Sequence, residues 1–265
     1  MSLSRLLQAV VWMATALPGL AQPSAAVVVN SASYVAGSIA PVQLVSAFGS
    51  GFSTDTILAF NQPSTQPLPT TLGDTTISIT DSNGNTVAAP IIFVSPQQVN
   101  FLVPASLASG AATVNFMRSG ATILTASVTV APVVPGVFTA NGNGAGVVAG
   151  VFLVIDGRAN SIVSSLPTYR CGPEPLSCVA VPFTIGTVPS FAYALHVYGT
   201  GLRAAKSVQA YVGEHETPVF FAAEPYFAGL DSISIGLEGL GGTGETTFYI
   251  VADGVKSNIA TLKIL

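Results

Sequence analysis

Beyond the first twenty or so residues, short runs rich in Val, Ile, Phe and Thr alternate with stretches of Gly, Pro, Asn and Ser. Thr75-Thr76-Ile77-Ser78-Ile79-Thr80, Val99-Asn100-Phe101-Leu102-Val103, Thr113-Val114-Asn115-Phe116 and Ser127-Val128-Thr129-Val130 have a period of two. Each therefore presents one apolar and one wet face, the pattern of a half-buried strand. Asp81-Ser82-Asn83-Gly84-Asn85 separates two such runs, and its Asn-Gly pair predicts a hairpin turn with positive φ. Pro23, Pro41, Pro63, Pro67, Pro69, Pro132 and Pro135 fall between runs, where a missing N–H costs no ladder bond. The pattern predicts an all-β chain.

The runs also repeat. Residues 97–130 align without a gap on residues 231–264, so that Val99, Phe101 and Val103 meet Ile233, Ile235 and Leu237. Gly110, Thr113, Gly120 and Ala126 meet Gly244, Thr247, Gly254 and Ala260. Upstream, Pro90-Ile91-Ile92-Phe93 answers Pro218-Val219-Phe220-Phe221, and Phe48-Gly49-Ser50-Gly51-Phe52 answers Tyr198-Gly199-Thr200-Gly201-Leu202. A long repeat of short strands predicts two tandem immunoglobulin-like β-sandwiches, over residues 22–134 and 135–265, rather than one barrel. Residues 132–136 (Pro-Val-Val-Pro-Gly) suit a semi-rigid linker between them.

Composition narrows the setting. Of 265 residues, 49% are apolar and 8% charged, with a formal net charge of −4. An average domain carries roughly 25% charged residues, so this surface is built from Ser, Thr, Asn, Gln and Gly. Disorder is excluded, because disordered chains are apolar-poor, and eight scattered Lys and Arg leave no nucleic-acid footprint. Residues 1–21 read as a cleaved secretory signal peptide: Arg5, then the mostly apolar residues 6–20, then small Gly19 and Ala21 before a cut at Gln22. That stretch is shorter than the roughly 20 residues of a membrane anchor, and no later run is longer, so no transmembrane span is expected in the mature chain. The expected location is exported: extracellular, cell surface or periplasm. In such a compartment Cys171 and Cys178, the only cysteines, should form a disulfide that staples a proline-containing loop. Two cysteines alone do not make a zinc site.

Several blocks together carry a resemblance. They are Leu68-Pro69-Thr70-Thr71-Leu72-Gly73, the run from Val94 through Ser95-Pro96-Gln97-Gln98 to Pro104, Pro135-Gly136-Val137-Phe138-Thr139, Tyr198-Gly199-Thr200-Gly201-Leu202-Arg203, Gly229-Leu230-Asp231 and Asp253-Gly254-Val255-Lys256-Ser257-Asn258. In this order they resemble the Solibacter uncharacterised C-terminal domain family of exported acidobacterial proteins. The resemblance implies a tandem of IPT/TIG-like immunoglobulin-type modules, usually appended to something larger, and brings no catalytic residues with it.

Candidate chemistry is sparse. His196 lies in a strand between Leu195 and Val197, where a hydrogen-bonded or solvated side chain is expected. His215 sits in Gly213-Glu214-His215-Glu216; adjacent residues of a turn do not converge on one ion, so no metal is expected there. Asp81, Asn83 and Asn85 imitate the first half of an EF-hand loop, but its twelfth position is Ile92. The glycines of residues 142–150 precede a strand rather than a helix, which argues against a dinucleotide fingerprint and for a flexible turn. No Gly-x-Ser-x-Gly elbow or recognisable triad motif is present. Phe220, Phe221, Tyr226 and Phe227 cluster beside a turn. Tyr226 and Phe227 are the candidate ligand-contact aromatics; the structural alternative is that Phe220 or Phe221 faces the core while Phe227 pins the loop. The expected function is that of a non-catalytic module for protein–protein or cell-surface interaction, with no cofactor. An extracellular carbohydrate-binding module, with a surface polysaccharide as partner, is the alternative. An exported hydrolase would need convergent acids or a His in a pocket, and an outer-membrane barrel would need strands of about 9–11 residues. The final strand, ending at Leu265, is a place to look for an open edge.

Overall fold

The computed structural model describes residues 24–59, 67–174, 176–223 and 227–265. The leader read over 1–21 lies outside the described residues, and so does Tyr226. The named elements among the described residues are strands. The first half runs β1 (Ser24–Ala25), β2 (Val27–Asn30), β3 (Ser38–Ile39), β4 (Leu44–Phe48), β5 (Ile57–Leu58) and β6 (Thr71–Leu72). It continues through β7 (Thr75–Thr80), β8 (Thr86–Ala88), β9 (Ile91–Val94), β10 (Gln98–Leu102), β11 (Gly110–Arg118) and β12 (Ala121–Val130). One sheet has the order β1-β12-β11-β7-β6, with β3 also on β12 and β8 also on β7; the facing sheet is β2-β4-β10-β9-β5. Strands β2, β4, β10 and β9 stand in the A-B-E-D order and β12, β11 and β7 in the G-F-C order of the immunoglobulin sandwich.

Period-two burial builds this sandwich. In β7 the side chains alternate between buried and half-buried from Thr75 on, so Ile77 and Ile79 face inward while Ser78 does not. Phe116 meets Phe52 and Phe101 edge-to-face at centroid distances of 5.1 and 6.1 Å. Such ring pairs contribute roughly 0.5–1.5 kcal/mol each beyond their burial.

The second half runs β13 (Gly136–Val137), β14 (Gly150–Asp156), β15 (Ser161–Pro167), β16 (Tyr169–Cys171), β17 (Cys178–Ala180) and β18 (Phe191–Thr200). It continues through β19 (Val208–Val212), β20 (His215–Thr217), β21 (Val219–Ala223), β22 (Asp231–Gly236), β23 (Gly244–Ala252), β24 (Val255–Lys256) and β25 (Ala260–Ile264). Its sheets are β15-β14-β18-β22-β21, with β13 also on β18, and β20-β19-β23-β24, with β25 also on β23. The same scaffold recurs: β11 and β23 are both nine residues long, and Val99, Phe101, Ile233 and Ile235 are all buried. Each sandwich has its own core, one drawn from residues 26–130 and one from 133–264.

The copies differ between their first two scaffold strands. Residues 31–43 suffice between β2 and β4, whereas residues 138–190 intervene between β13 and β18. That insertion supplies Phe152 and Phe183, which stack at 4.4 Å inside the second core. Its β16–β17 hairpin is closed by the Cys171–Cys178 disulfide, the two cysteines lying directly opposite one another. Thr168, fully buried, anchors the base of the preceding β14–β15 hairpin by donating to the Val148 carbonyl at 2.6 Å.

The final strand, one place to look for an open edge, is not one. Strand β25 is covered by parallel bridges from the insertion, Val147 to Thr261 and Phe183 to Ile264. Strand β15 instead pairs with β14 alone, and all seven of its residues are exposed. A register shift between Val154 and Ile155 leaves Val163 without an opposite number, and such a bulge is one way a sheet edge is blunted.

Candidate functional site

The two sandwiches meet through buried polar side chains rather than a loose linker. Asn30, Gln43 and Thr200 are all fully buried. Asn30 Nδ2 and Gln43 Nε2 both donate to the Val134 carbonyl, at 2.9 and 3.2 Å. Thr200 Oγ1 accepts from the Leu44 N–H at 2.8 Å and donates to the Gly229 carbonyl at 2.7 Å. A buried polar group left without its partner costs about 1–3 kcal/mol, so this network holds one relative placement of the halves. The glycine-rich segment read as a flexible turn is part of it. Gly144, at φ +78°, lies so close to the Ser33 carbonyl that a Cβ there would overlap the oxygen. The turn is a close backbone approach between sandwiches, and a side chain would wedge them apart.

Beside this seam is a cleft of about 240 Å³. The outer face of β2-β4-β10 forms one wall, with Ser31, Leu44 and Asn100; Phe138, Phe227 and Leu230 form the other. Phe227 is half exposed, so the structure places one of the two sequence-nominated aromatics in a cleft wall. Its loop is tied down from below. Arg203 Nη2 donates to the Leu230 carbonyl at 2.7 Å, and Arg203 Nε is paired with the fully buried carboxylate of Asp231. Burial pushes the Asp231 carboxyl above its ordinary value, while Arg203 and the Leu202 N–H pull the other way.

Running from the cleft along the same sheet face is an uncharged track. Ser31 and Ser46 share a hydroxyl hydrogen bond of 2.8 Å, and Gln98 Nε2 donates to Asn100 Oδ1 at 2.8 Å. Phe48 and Tyr34 stack at 6.2 Å at its far end. The pairings Gln98 with Phe48, Asn100 with Ser46 and Leu102 with Leu44 set these side chains side by side on adjacent strands.

The other nominated residues take structural roles. Asp81 accepts from the N–H groups of Asn83, Asn85 and Ala108, which closes the β7–β8 turn and ties it to the loop before β11. The Ala108 N–H does most to hold its carboxyl below the ordinary value. Only Gly84 of the Asn-Gly pair takes positive φ. His196 stands half-buried between the fully buried Leu195 and Val197, with Nδ1 2.9 Å from Ser234 Oγ and its ring edge-on to Tyr198. His215 is exposed on β20, and the neighbouring Glu216 turns instead to Tyr211 and Gln209. Among the described residues no group of His, Cys, Asp and Glu is placed to hold a metal ion. Phe221 packs on the second core and Phe220 is 71% exposed. The paired rings of Tyr211 and Tyr249 lie 5.0 Å apart and nearly parallel, with Lys256 Nζ 3.6 Å over Tyr249. Each ring spends one face on the other, and Lys256 lies over Tyr249.

Sequence reasoning missed Ser31, Asn100, Thr200, Arg203 and Asp231. A signal was nevertheless there: Phe138, Thr200, Arg203 and Asp231 all belong to the motif blocks quoted above, and those blocks converge at the seam.

No protein-family model and no curated protein matches the chain. Among solved structures it is similar to the Bacteroides ovatus mixed-linkage glucan utilization locus protein SGBP-B, in complex with a mixed-linkage heptasaccharide. That similarity is at 12% identity and a TM-score of 0.34, over 86% of this chain and 43% of that one. It is similar also to tandem Ig domains of titin, at 9% identity and a TM-score of 0.22, over 86% of this chain and 91% of that one. By its own strand order the chain is a tandem of immunoglobulin-like β-sandwiches.

Proposed function

We propose that this chain is an exported, non-catalytic recognition module whose partner, a protein or cell-surface polymer, is gripped at the cleft between the two sandwiches. The observation that carries this reading is that both halves line the cleft and that buried Asn30, Gln43 and Thr200 hold them in place around it. A preformed concave site with apolar walls and a few polar groups suits binding without rearrangement. The non-catalytic part is supported by the work its acids do: Asp81, Asp231 and Asp253 each accept backbone N–H groups and hold turns. Export is supported by the Cys171–Cys178 disulfide together with the apolar leader of the sequence. The test immobilises the leaderless chain and exposes it to cell-envelope fractions beside a Phe227→Ala variant. Retention that falls at least about tenfold in the variant is expected, since central aromatic anchors dominate interfaces. Retention that Phe227→Ala leaves unchanged moves the site elsewhere and overturns the reading.

A second reading has its own support. The Ser31–Ser46 and Gln98–Asn100 track, bounded by aromatic rings and free of charge, has the chemistry of a polysaccharide site rather than of a peptide groove.

A further inference from the structure

We infer that the ligand of this site is a neutral polysaccharide, laid along the β10 side of this sheet face with one sugar lodged in the cleft; the inference rests on the cleft being the recognition site. Sugar rings present C–H faces that pack on aromatic rings and hydroxyls that pair with amides and serines. Both complements occur here in a row. Phe138 and Phe227 line the cleft end, and Tyr34 and Phe48 stand at the other end of the face. Between them lie Ser31, Asn100 and Gln98, none of them charged, while buried Ser46 holds the Ser31 hydroxyl in place.

The hydrogen-bond inventory leaves capacity for a ligand. Gln98 Nε2 and Asn100 Oδ1 satisfy each other. An amide has two donors and two acceptor lone pairs, so beyond this bond the pair has donor capacity at Asn100 Nδ2 and acceptor capacity at Gln98 Oε1. The bond between them restrains both amides, which favours pairing with sugar hydroxyls. The Gln98-to-Leu102 span at about 3.4 Å per residue is about 14 Å long, the reach of a short oligosaccharide.

The neutrality is specific. Among the residues of this track none is Lys, Arg, Asp or Glu, whereas a site for an acidic polymer needs fixed cations. The single cation beneath the loop, Arg203, is paired with buried Asp231. A peptide partner would instead find the sheet edge at this face already shortened: β5 is two residues long and β2 four.

Affinity electrophoresis and calorimetry of the leaderless chain test this, with soluble glucans, mannans and xylans as probes and alginate and polygalacturonate as acidic controls. At least one neutral polymer is expected to bind, with an affinity that does not change between low and high salt. Asn100→Ala and Phe227→Ala should each weaken it about tenfold, the usual effect of losing an anchor. Gln98→Ala, half-buried at the surface, serves should Asn100→Ala melt early. Ile162→Lys on the remote β15 strand should leave binding unchanged. Binding of the acidic polymers alone, loss of binding with salt, or neutral binding indifferent to both Asn100→Ala and Gln98→Ala overturns the inference. Envelope retention that depends on Phe227 while every purified neutral polymer fails would sink the polysaccharide and leave the recognition site standing. Retention and polymer binding both indifferent to Phe227 would remove the site itself.

Discussion

The same sheet face occurs twice in this molecule and is put to two uses. In the first sandwich it presents Ser46, Phe48, Gln98 and Asn100; at the equivalent positions of the second stand His196, Tyr198, Ser232 and Ser234. The first face ends against Phe138 and the 227–230 loop of the following sandwich, which closes a cleft over it. The sheet that carries the second face is extended sideways by the β14–β15 hairpin. A half-polar sheet face becomes a concave site only where another body is held against one end. The difference is made by a few residues: Ser50, Ser53 and Gln97 of the first copy stand where the second has Thr200, Arg203 and Asp231. The two copies share the scaffold, and these residues of the second join Asn30 and Gln43 of the first sandwich at the seam.

The sharpest way to break this comparison is Arg203→Ala. Removing one member of a buried ion pair leaves the other charge without compensation and costs about 3–5 kcal/mol; the Asp231 side chain is fully buried and Arg203 also holds the Leu230 carbonyl. A large fall in the melting temperature is expected, with faster amide exchange at residues 227–231. Ser53→Ala, the matching change in the first sandwich, removes a turn hydrogen bond and should cost far less. Equal effects of the two would show that the pair is not what distinguishes the copies.

A smaller effect is expected from Cys171→Ser with Cys178→Ser. Closing an eight-residue loop is worth about 2.5 kcal/mol by chain entropy, but the cross-link lies within a two-stranded hairpin outside both main sheets. The loss should therefore appear as faster exchange in residues 169–181, with little change in the global melt. A collapse of the second sandwich would mean that the insertion nucleates its core.

The smallest effects are in pH dependence, and they have opposite signs in the two halves. The Asp81 carboxyl is held below the ordinary aspartate value of 3.8, so its contribution is complete above that value and is lost as the pH falls through its lower folded value. The Asp231 carboxyl is pushed above 3.8, so the native state there binds more protons than the unfolded one, and stability from this group falls as the pH rises through its folded value. Thermal melts from acid to neutral pH should show a shallower rise in stability with pH for Asp81→Asn and a steeper one for Asp231→Asn. Slopes that move together would contradict the assignment.

Much of the scaffold was legible in the chain. Period-two alternation located β7, β10, β11 and β12, and the constant spacing between residues 97–130 and 231–264 reappears in the equal lengths and matching burial of β11 and β23. The cysteine pairing followed from there being only two of them. Of the cleft's side chains only Phe227 stood out as a ligand contact, because an aromatic cluster beside a turn reads as unusual whatever surrounds it. Asn30, Gln43 and Thr200 carry no such mark: a polar residue at a strand end reads as solvent-facing until a second body is known to cover it. Which edge is open was not legible for the same reason, since the segments that cover β25 come from residues 147 and 183, far away in sequence.

By itself the order of apolar and polar side chains determined the secondary structure, the strand faces and the twofold repetition, because these depend on neighbours one or two residues away. Which edge stays open, which polar groups are buried and where a cleft forms were decided only by the tertiary structure. Each depends on contacts between residues as distant as Leu44 and Thr200, and burial changes the energetic meaning of a hydroxyl or a carboxylate without changing its identity.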